Sequence, residues 1–83
     1  MSNKITKDYI ISRVADVEFI LKDMLTICII KFDNKFIEVG YSICAEAEDY
    51  KEDVGKVAAY NDAVNKSFAL FNFHKKEDHL NNA

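Results

Sequence analysis

Apolar residues along this chain recur every three to four positions in two stretches and alternate with polar residues in the segment between them. Near the N-terminus, Ile10, Val14 and Val17 follow helical spacing behind Thr6, a residue type that caps helices. The pattern predicts a short first helix over residues 6–15.

Three strands are predicted next. Residues 17–22 alternate apolar and polar side chains, as a half-buried strand does. Residues 25–32 are β-branched and apolar on both faces, which is typical of a central strand, and residues 36–44 form the return strand. Turns are expected at residues 23–24 and 33–35, with Asn34 in the left-handed conformation.

The pairing of the last two strands is predicted from charge. A two-residue loop at Asn34 and Lys35 places Phe32 opposite Ile37 and brings Lys31 opposite an acidic residue, Glu38. In that register both faces of the sheet are largely apolar. Two helices from one chain do not cover both faces, so we expect a second copy of the chain to cover part of the sheet in a homo-oligomer, a dimer or larger.

A long second helix is predicted from Tyr50 or Glu52 to Phe71. The acidic segment 46–53 suits the positive end of its dipole. Its expected buried stripe is interrupted by one polar residue and consists of Val54, Val57, Ala58, Asn61, Val64, Phe68 and Phe71. The fold class is therefore α+β: a short N-terminal helix, a three-stranded antiparallel β-meander and a long C-terminal helix. We expect one domain over residues 1–83, with frayed ends at 1–4 and 75–83.

Size and charge narrow the function. With 83 residues and 49% apolar content, the chain has apolar surface left over, which favours self-association. A net charge of −3 argues against binding to duplex nucleic acid. No signal peptide or membrane span is visible, so we expect a cytoplasmic protein that makes no membrane contact.

Catalytic and metal chemistry are not expected. Cys28 and Cys44 lie in apolar strands, where a thiol is an inert small hydrophobe, and His74 falls at the predicted end of a helix. The acidic segment lacks the spacing of a calcium loop. We therefore predict no catalytic residue, no metal site, no cofactor and no enzymatic activity.

Five residues outside the expected apolar core pattern are candidates for binding or close packing. Gly40, inside a strand, indicates a close approach either by the second helix or by a ligand, and Ser42 points to the same face. Asn61 needs polar partners and either holds a strand end or contacts a polar ligand. Tyr60 and Phe73 fall off the predicted stripe and are suited to stacking or to an interface.

The order of motifs resembles a small tailed-phage family, the Gp forty-nine / gene sixty-six family. The resemblance rests on the strand–turn–strand segment 25–44 and on Asp49, Tyr50, Val54, Gly55, Lys56, Ala58, Asn61, Ala63, Lys66 and Phe68. Lys35 replaces the family's turn glycine and Phe68 its tryptophan. The resemblance implies a phage accessory protein of a family to which no enzymatic role is assigned. The family also resembles the Thoeris anti-defence sponges, which sequester cyclic ADP-ribose-type signals between subunits.

Our leading hypothesis is therefore a phage anti-defence protein that sequesters such a nucleotide signal at subunit interfaces without cleaving it. The alternatives are an inhibitor that docks on a host protein through segment 46–53 and exposed aromatic residues, and an enzyme that acts on the signal. The candidate ligand-binding residues are Arg13 and Lys56 for phosphates, Tyr60 or Phe73 for base stacking, and Asn61 and Ser42 for polar contacts.

Overall fold

The computed structural model describes the backbone of residues 5–82 and the side chains of residues 5–72. Its elements are α1 (Lys7–Ser12), β1 (Val14–Lys22), β2 (Leu25–Phe32), β3 (Ile37–Ile43), a 3₁₀ turn (Ala47–Asp49) and α2 (Glu52–Asn82). The strands form one antiparallel sheet in the order β1-β2-β3. This arrangement confirms the predicted α+β fold with its β-meander between two helices.

The first helix is shorter than predicted. The Thr6 hydroxyl caps it by accepting a hydrogen bond from the Tyr9 amide at 3.1 Å, as expected. The helix ends at Ser12, so the prediction that it reaches residue 15 is wrong. Val17 lies in β1, as the predicted strand over residues 17–22 requires, whereas Val14 belongs to β1 instead of α1, and both pair with β2. These β-branched residues fit a strand, and pairing along the full length of β2 outweighs their helical spacing.

The loop between β2 and β3 contains three residues instead of the predicted two. Lys35, and not Asn34, adopts a positive φ of 74°. The Lys35 amide donates to the Phe32 carbonyl at 2.9 Å, and the Asn34 side-chain oxygen accepts from the Phe36 amide at 3.1 Å. A turn followed by a left-handed residue is the usual form of a three-residue hairpin.

The longer loop shifts the register of β3 by one residue. Lys31 lies opposite Ile37, and Glu38 lies opposite Ile30. The predicted Lys31–Glu38 and Phe32–Ile37 pairs are therefore wrong. Because side chains alternate between faces, this shift exchanges the two faces of β3.

The sheet consequently has one covered face and one apolar face that no helix covers within the described part of the chain. The covered face carries the fully buried Thr26, Cys28, Ile30 and Phe32. On the other side, Ile43 is 66% exposed. We call this second side the open face; its apolar residues are Ile20, Leu25, Ile27, Ile29, Ile37, Val39, Tyr41 and Ile43.

Helix α2 packs closely on β3 at Gly40. A β-carbon on Gly40 would lie 2.7 Å from the Ala63 α-carbon and closer still to the Ala59 backbone. This contact confirms that the strand glycine serves helix packing. The predicted stripe is wrong in its N-terminal half, where Val54 and Val57 are about 60% exposed. Small residues set the buried face because they allow the helix to approach Gly40.

The second helix is also longer than predicted and runs to Asn82 instead of ending at Phe71. No glycine or proline follows Phe71, so the sequence contains no strong helix terminator there. At the other end, the helix begins at Glu52, within the predicted range, and the preceding acidic residues are exposed as expected.

Candidate functional site

Helix α2 leaves the helix-side face of β1 partly uncovered. It packs on β3 and β2 and scarcely touches β1. Phe19 is therefore half-buried and Leu21 is 40% exposed. Lys56 extends from α2 over Phe19, with its Nζ 5.7 Å from the ring centroid. We call the surface formed by Phe19, Leu21, Lys56 and Tyr60 the β1 shelf.

Tyr60 lies one helical turn after Lys56, on the same side of α2. It is half-buried and packs against the core. Burial raises the pKa of its phenol, and interaction with Cys28 raises that pKa further. The phenol is therefore neutral at physiological pH and has a hydroxyl that can donate a hydrogen bond.

Lys56 also forms a surface ion pair with Glu52, with Nζ and Oε1 3.2 Å apart. Both side chains are more than one-third exposed, so this pair contributes little to stability. An anionic ligand above Phe19 can compete for the ammonium group. The shelf thus offers two aromatic rings and one cation, a set suited to a base and a phosphate.

Ser42 lies elsewhere, in a pocket at the N-terminal end of α2. The pocket has a volume of about 210 Å³. The Thr26 hydroxyl beside it is buried and has no hydrogen-bond partner among the described residues. It faces Gly55, where an added β-carbon would lie 2.7 Å from the hydroxyl oxygen. The sequence alone does not predict this pocket, because only the fold brings Thr26 and Gly55 together.

Asn61 lines a different surface. It is half-exposed and borders a shallow depression of about 390 Å³ together with Asp53, Val54, Val57 and Ala58. The predicted stripe placed Asn61 on the buried face of α2; the structure shows that its side chain is not buried in the core. Asn61 follows Tyr60 directly, so the two side chains leave α2 about 100° apart.

Arg13 is held by another part of the chain. Its Nε donates to both carboxylate oxygens of Asp33 at 2.8 Å, and its guanidinium lies 5.7 Å from the Phe71 ring centroid. The Asp33 carboxylate raises the pKa of Arg13, and Arg13 lowers the pKa of Asp33. Phe71 is fifteen residues after Lys56, roughly 22 Å along a helix axis. Arg13 is therefore remote from the shelf.

Of the six predicted ligand residues, the structure brings together Lys56 and Tyr60. Arg13, Ser42 and Asn61 lie at three other places, and Phe73 lies outside the described side chains. Phe19 was not among the predicted ligand residues. One pattern could have pointed to it: Val17, Phe19 and Leu21 occupy alternate positions, so they share the apolar side of a strand at the edge of the sheet.

The cysteines differ in their environments. Cys28 is fully buried, and burial raises the pKa of its thiol, which lowers its reactivity. Cys44 is half-buried and donates from Sγ to the Glu46 carbonyl at 3.1 Å. Among residues 5–72, no three His, Cys, Asp or Glu side chains converge as metal ligands would. The described helices include none with the length and apolar content needed to cross a bilayer.

Residues 2–78 match the Phage protein (N4 Gp49/phage Sf6 gene 66) family, and the chain belongs to that family. The match covers nearly the whole sequence and confirms the family resemblance drawn from the motif order. The chain has no significant match among curated proteins or among solved structures.

Proposed function

We propose that this phage protein sequesters a nucleotide-type signalling molecule without cleaving it, as a homo-oligomer in the cytoplasm of the infected cell, and so acts against host defence. The observation that carries the proposal is the β1 shelf. There, α2 supplies Lys56, which lies over the Phe19 ring of β1, and Tyr60, one helical turn further along, so that a cation and two aromatic rings are available to a ligand. Base stacking on aromatic side chains contributes about 1–3 kcal/mol per base, and a lysine ammonium pairs with phosphate.

Two other features support binding without cleavage. The Cys28 thiol is buried beneath Tyr60 and α2, away from any ligand on the shelf. The Tyr60 phenol has a raised pKa, so it is a hydrogen-bond donor and a poor nucleophile at neutral pH. Family membership places the protein in a phage, and the resemblance to Thoeris sponges suggests cyclic ADP-ribose isomers as the ligands.

Self-association is supported by the open face. Ile37, Tyr41 and Ile43 are all more than half exposed on one side of the sheet. Contiguous apolar surface of this kind marks interfaces in soluble proteins.

Calorimetry with cyclic ADP-ribose isomers and cyclic oligonucleotides tests the proposal. We expect saturable binding of at least one ligand and its intact recovery after heat denaturation. Lys56→Ala should weaken binding roughly tenfold, which corresponds to about 1.4 kcal/mol. Lys7→Ala, an exposed lysine on α1, is the matched control and should bind like the native protein.

Lys51→Ala separates the shelf from the pocket that contains Ser42, because Lys51 lines that pocket. A loss of binding in Lys51→Ala but not in Lys56→Ala would show that the ligand binds in the pocket and not on the β1 shelf. A cleaved ligand would make the protein an enzyme, and the absence of binding across the whole panel would refute the sequestration proposal.

A second candidate function is inhibition of a host protein. The open face favours it, because an exposed apolar sheet is suited to a protein partner. The acidic residues around the 3₁₀ turn are also exposed. Val39→Lys places a charge on the open face, and we expect it to abolish capture of a stoichiometric host protein if that face is the docking surface. Retained capture would exclude the open face.

A further inference from the structure

The two edges of the sheet differ in how their backbone groups are satisfied. On β3, the outward Tyr41 amide donates to the Asp62 carboxylate at 3.0 Å, and the Val39 amide donates to Glu38 at 3.1 Å. β1 forms the opposite edge of the sheet, and no described side chain hydrogen-bonds to its backbone. Carboxylates therefore occupy the β3 edge, whereas β1 remains available for pairing with another strand.

The hydrogen-bonding pattern shows which β1 residues point outward. The Phe32 amide donates to the Phe36 carbonyl, so the even-numbered residues of β2 face β3 and the odd-numbered ones face β1. Their β1 partners include Glu18, opposite Ile29, and Ile20, opposite Ile27. The alternate residues Phe19 and Leu21 therefore direct their backbone amides and carbonyls away from the sheet.

We propose that two copies of the chain pair antiparallel through β1, with Ile20 of one copy opposite Ile20 of the other. In this register the outward-facing Phe19 pairs with Leu21 of the second copy, and the reverse pair forms by symmetry. Backbone groups that point outward thus meet each other, as an antiparallel ladder requires. The two three-stranded sheets become one six-stranded sheet.

Charge complementarity specifies this register. Glu18 and Lys22 are equally spaced on either side of Ile20, so Glu18 of each copy lies opposite Lys22 of the other. Both side chains are exposed, and neither forms an ion pair with another described residue. Opposite charges directly across a strand pair are stabilising, and like charges are destabilising.

A register shifted by two residues is the main competitor. It would place Phe19 of one copy opposite Phe19 of the other, and Asp16 of one copy opposite Lys22 of the other. Asp16 already lies across from Lys31 within its own sheet, next to the irregularity between Val14 and Asp16. That register also places the Glu18 carboxylate opposite Ile20, so it is less complementary on the open face.

Pairing through β1 would complete the proposed binding site. The Phe19 ring on the β1 shelf lies on the helix-side face, where Leu21 of the second copy would extend the apolar floor beside it. Tyr60 is roughly 160° round α2 from Asp62, which reaches β3, so Tyr60 faces the β1 side and the junction between copies. This last step rests on the proposed function; the strand pairing does not.

Exchanging the charges of Glu18 and Lys22 tests the β1–β1 pairing, and the experiment uses the full chain without ligand. Sedimentation equilibrium of the native protein should give a particle of two 9.5 kDa chains, or a multiple of two where the open faces of dimers also associate. Glu18→Lys and Lys22→Glu should each weaken dimerisation roughly tenfold or more, because each replaces two attractive pairs with two repulsive ones. The double variant restores opposite charges and should dimerise like the native protein. That recovery also shows that the substituted chains fold.

Three outcomes would overturn this pairing. A native monomer would show that Glu18 and Lys22 only keep the edge soluble. If the double variant does not recover dimerisation, Glu18 and Lys22 do not face each other across the interface. If Asp16→Lys restores dimerisation of Lys22→Glu, the shifted register is the correct one. Calorimetry on the native dimer tests the proposed function independently of the strand pairing. A β1-paired dimer that binds no nucleotide would support the pairing and refute the proposed function.

Discussion

The backbone amide of Tyr41 donates a hydrogen bond to the carboxylate of Asp62 at 3.0 Å, and so joins the edge strand β3 to helix α2. The same carboxylate binds the Lys66 ammonium at 2.8 Å, and that ammonium lies 4.8 Å from the Tyr41 ring centroid. Asp62 therefore covers one edge of the sheet and holds the helix on that side. At the opposite edge, no described side chain hydrogen-bonds to the backbone of β1.

This contact predicts a pH-dependent stability. Lys66 and the Tyr41 amide lower the pKa of Asp62. The stabilisation is therefore present above the ordinary pKa of an aspartate and is lost as pH falls through the lowered value. Asp62→Asn should cost about 1 kcal/mol or less at neutral pH, since the group is partly solvated.

Thermal unfolding at pH 7 and near pH 2 checks this expectation. The difference in melting temperature between the native protein and Asp62→Asn should shrink at the acidic pH. Glu48→Gln, at an exposed position in the 3₁₀ turn, is the control and should show little difference at either pH. An Asp62→Asn deficit of equal size at both values would show that the carboxylate charge does not contribute.

Gly40 and Gly55 are predicted to respond differently to alanine. A β-carbon on Gly40 would meet the backbone of α2, which cannot move without displacing the helix. Gly40→Ala should therefore destabilise the fold by about 3 kcal/mol, at the upper end for overpacking. Urea unfolding measures the difference.

Gly55→Ala is the matched control. Its β-carbon would lie 2.7 Å from the Thr26 hydroxyl oxygen, a side-chain atom and not backbone, and alanine is favoured over glycine in a helix by about 1 kcal/mol. We expect a much smaller loss of stability than in Gly40→Ala. Equal losses in both variants would contradict the close packing of α2 on Gly40.

Lys35 should be replaceable by glycine with a gain in stability. Its φ of 74° lies in the left-handed region, which costs a residue with a β-carbon roughly 1 kcal/mol. Lys35→Gly should raise the free energy of unfolding by about 0.5–1 kcal/mol. Asp23 has a φ of 53°, but aspartate tolerates this region better, so Asp23→Gly should gain less. A loss of stability in Lys35→Gly would argue against the three-residue loop.

Arg13 is expected to matter for stability and not for ligand binding. It joins α1 to the β2–β3 loop through Asp33 and stacks on Phe71. Arg13→Ala should lower stability by about 1–2 kcal/mol and leave nucleotide affinity within twofold of native, whereas Lys56→Ala weakens affinity. Calorimetry and urea unfolding on both variants measure this. A loss of nucleotide affinity in Arg13→Ala would show that Arg13 does contribute to ligand binding.

The sequence predicted the elements of this fold better than their packing. The bounds of β2 were predicted correctly because its apolar, β-branched run has a clear local signal. The register of β3 was wrong, since it depends on whether the loop contains two or three residues. The stripe of α2 was wrong near Val54 and Val57, because the close approach at Gly40 and not side-chain hydrophobicity sets the helix orientation.

The candidate site shows the same limit. Lys56 and Tyr60 were selected individually from residue type and position along α2. Their association with Phe19 depends on α2 lying over β2 and β3 and leaving β1 uncovered, which no local pattern specifies. Arg13 was selected as a cation for phosphates, but its pairing with Asp33 appears only when α1 and the β2–β3 loop come together.

Native mass spectrometry in the presence of cyclic ADP-ribose isomers tests the central proposal most directly, because it reports oligomer mass and bound ligand together. We expect a particle of two 9.5 kDa chains that carries up to two intact ligands, one for each β1 shelf. A single 9.5 kDa chain that takes up no ligand at any concentration tested would contradict the account.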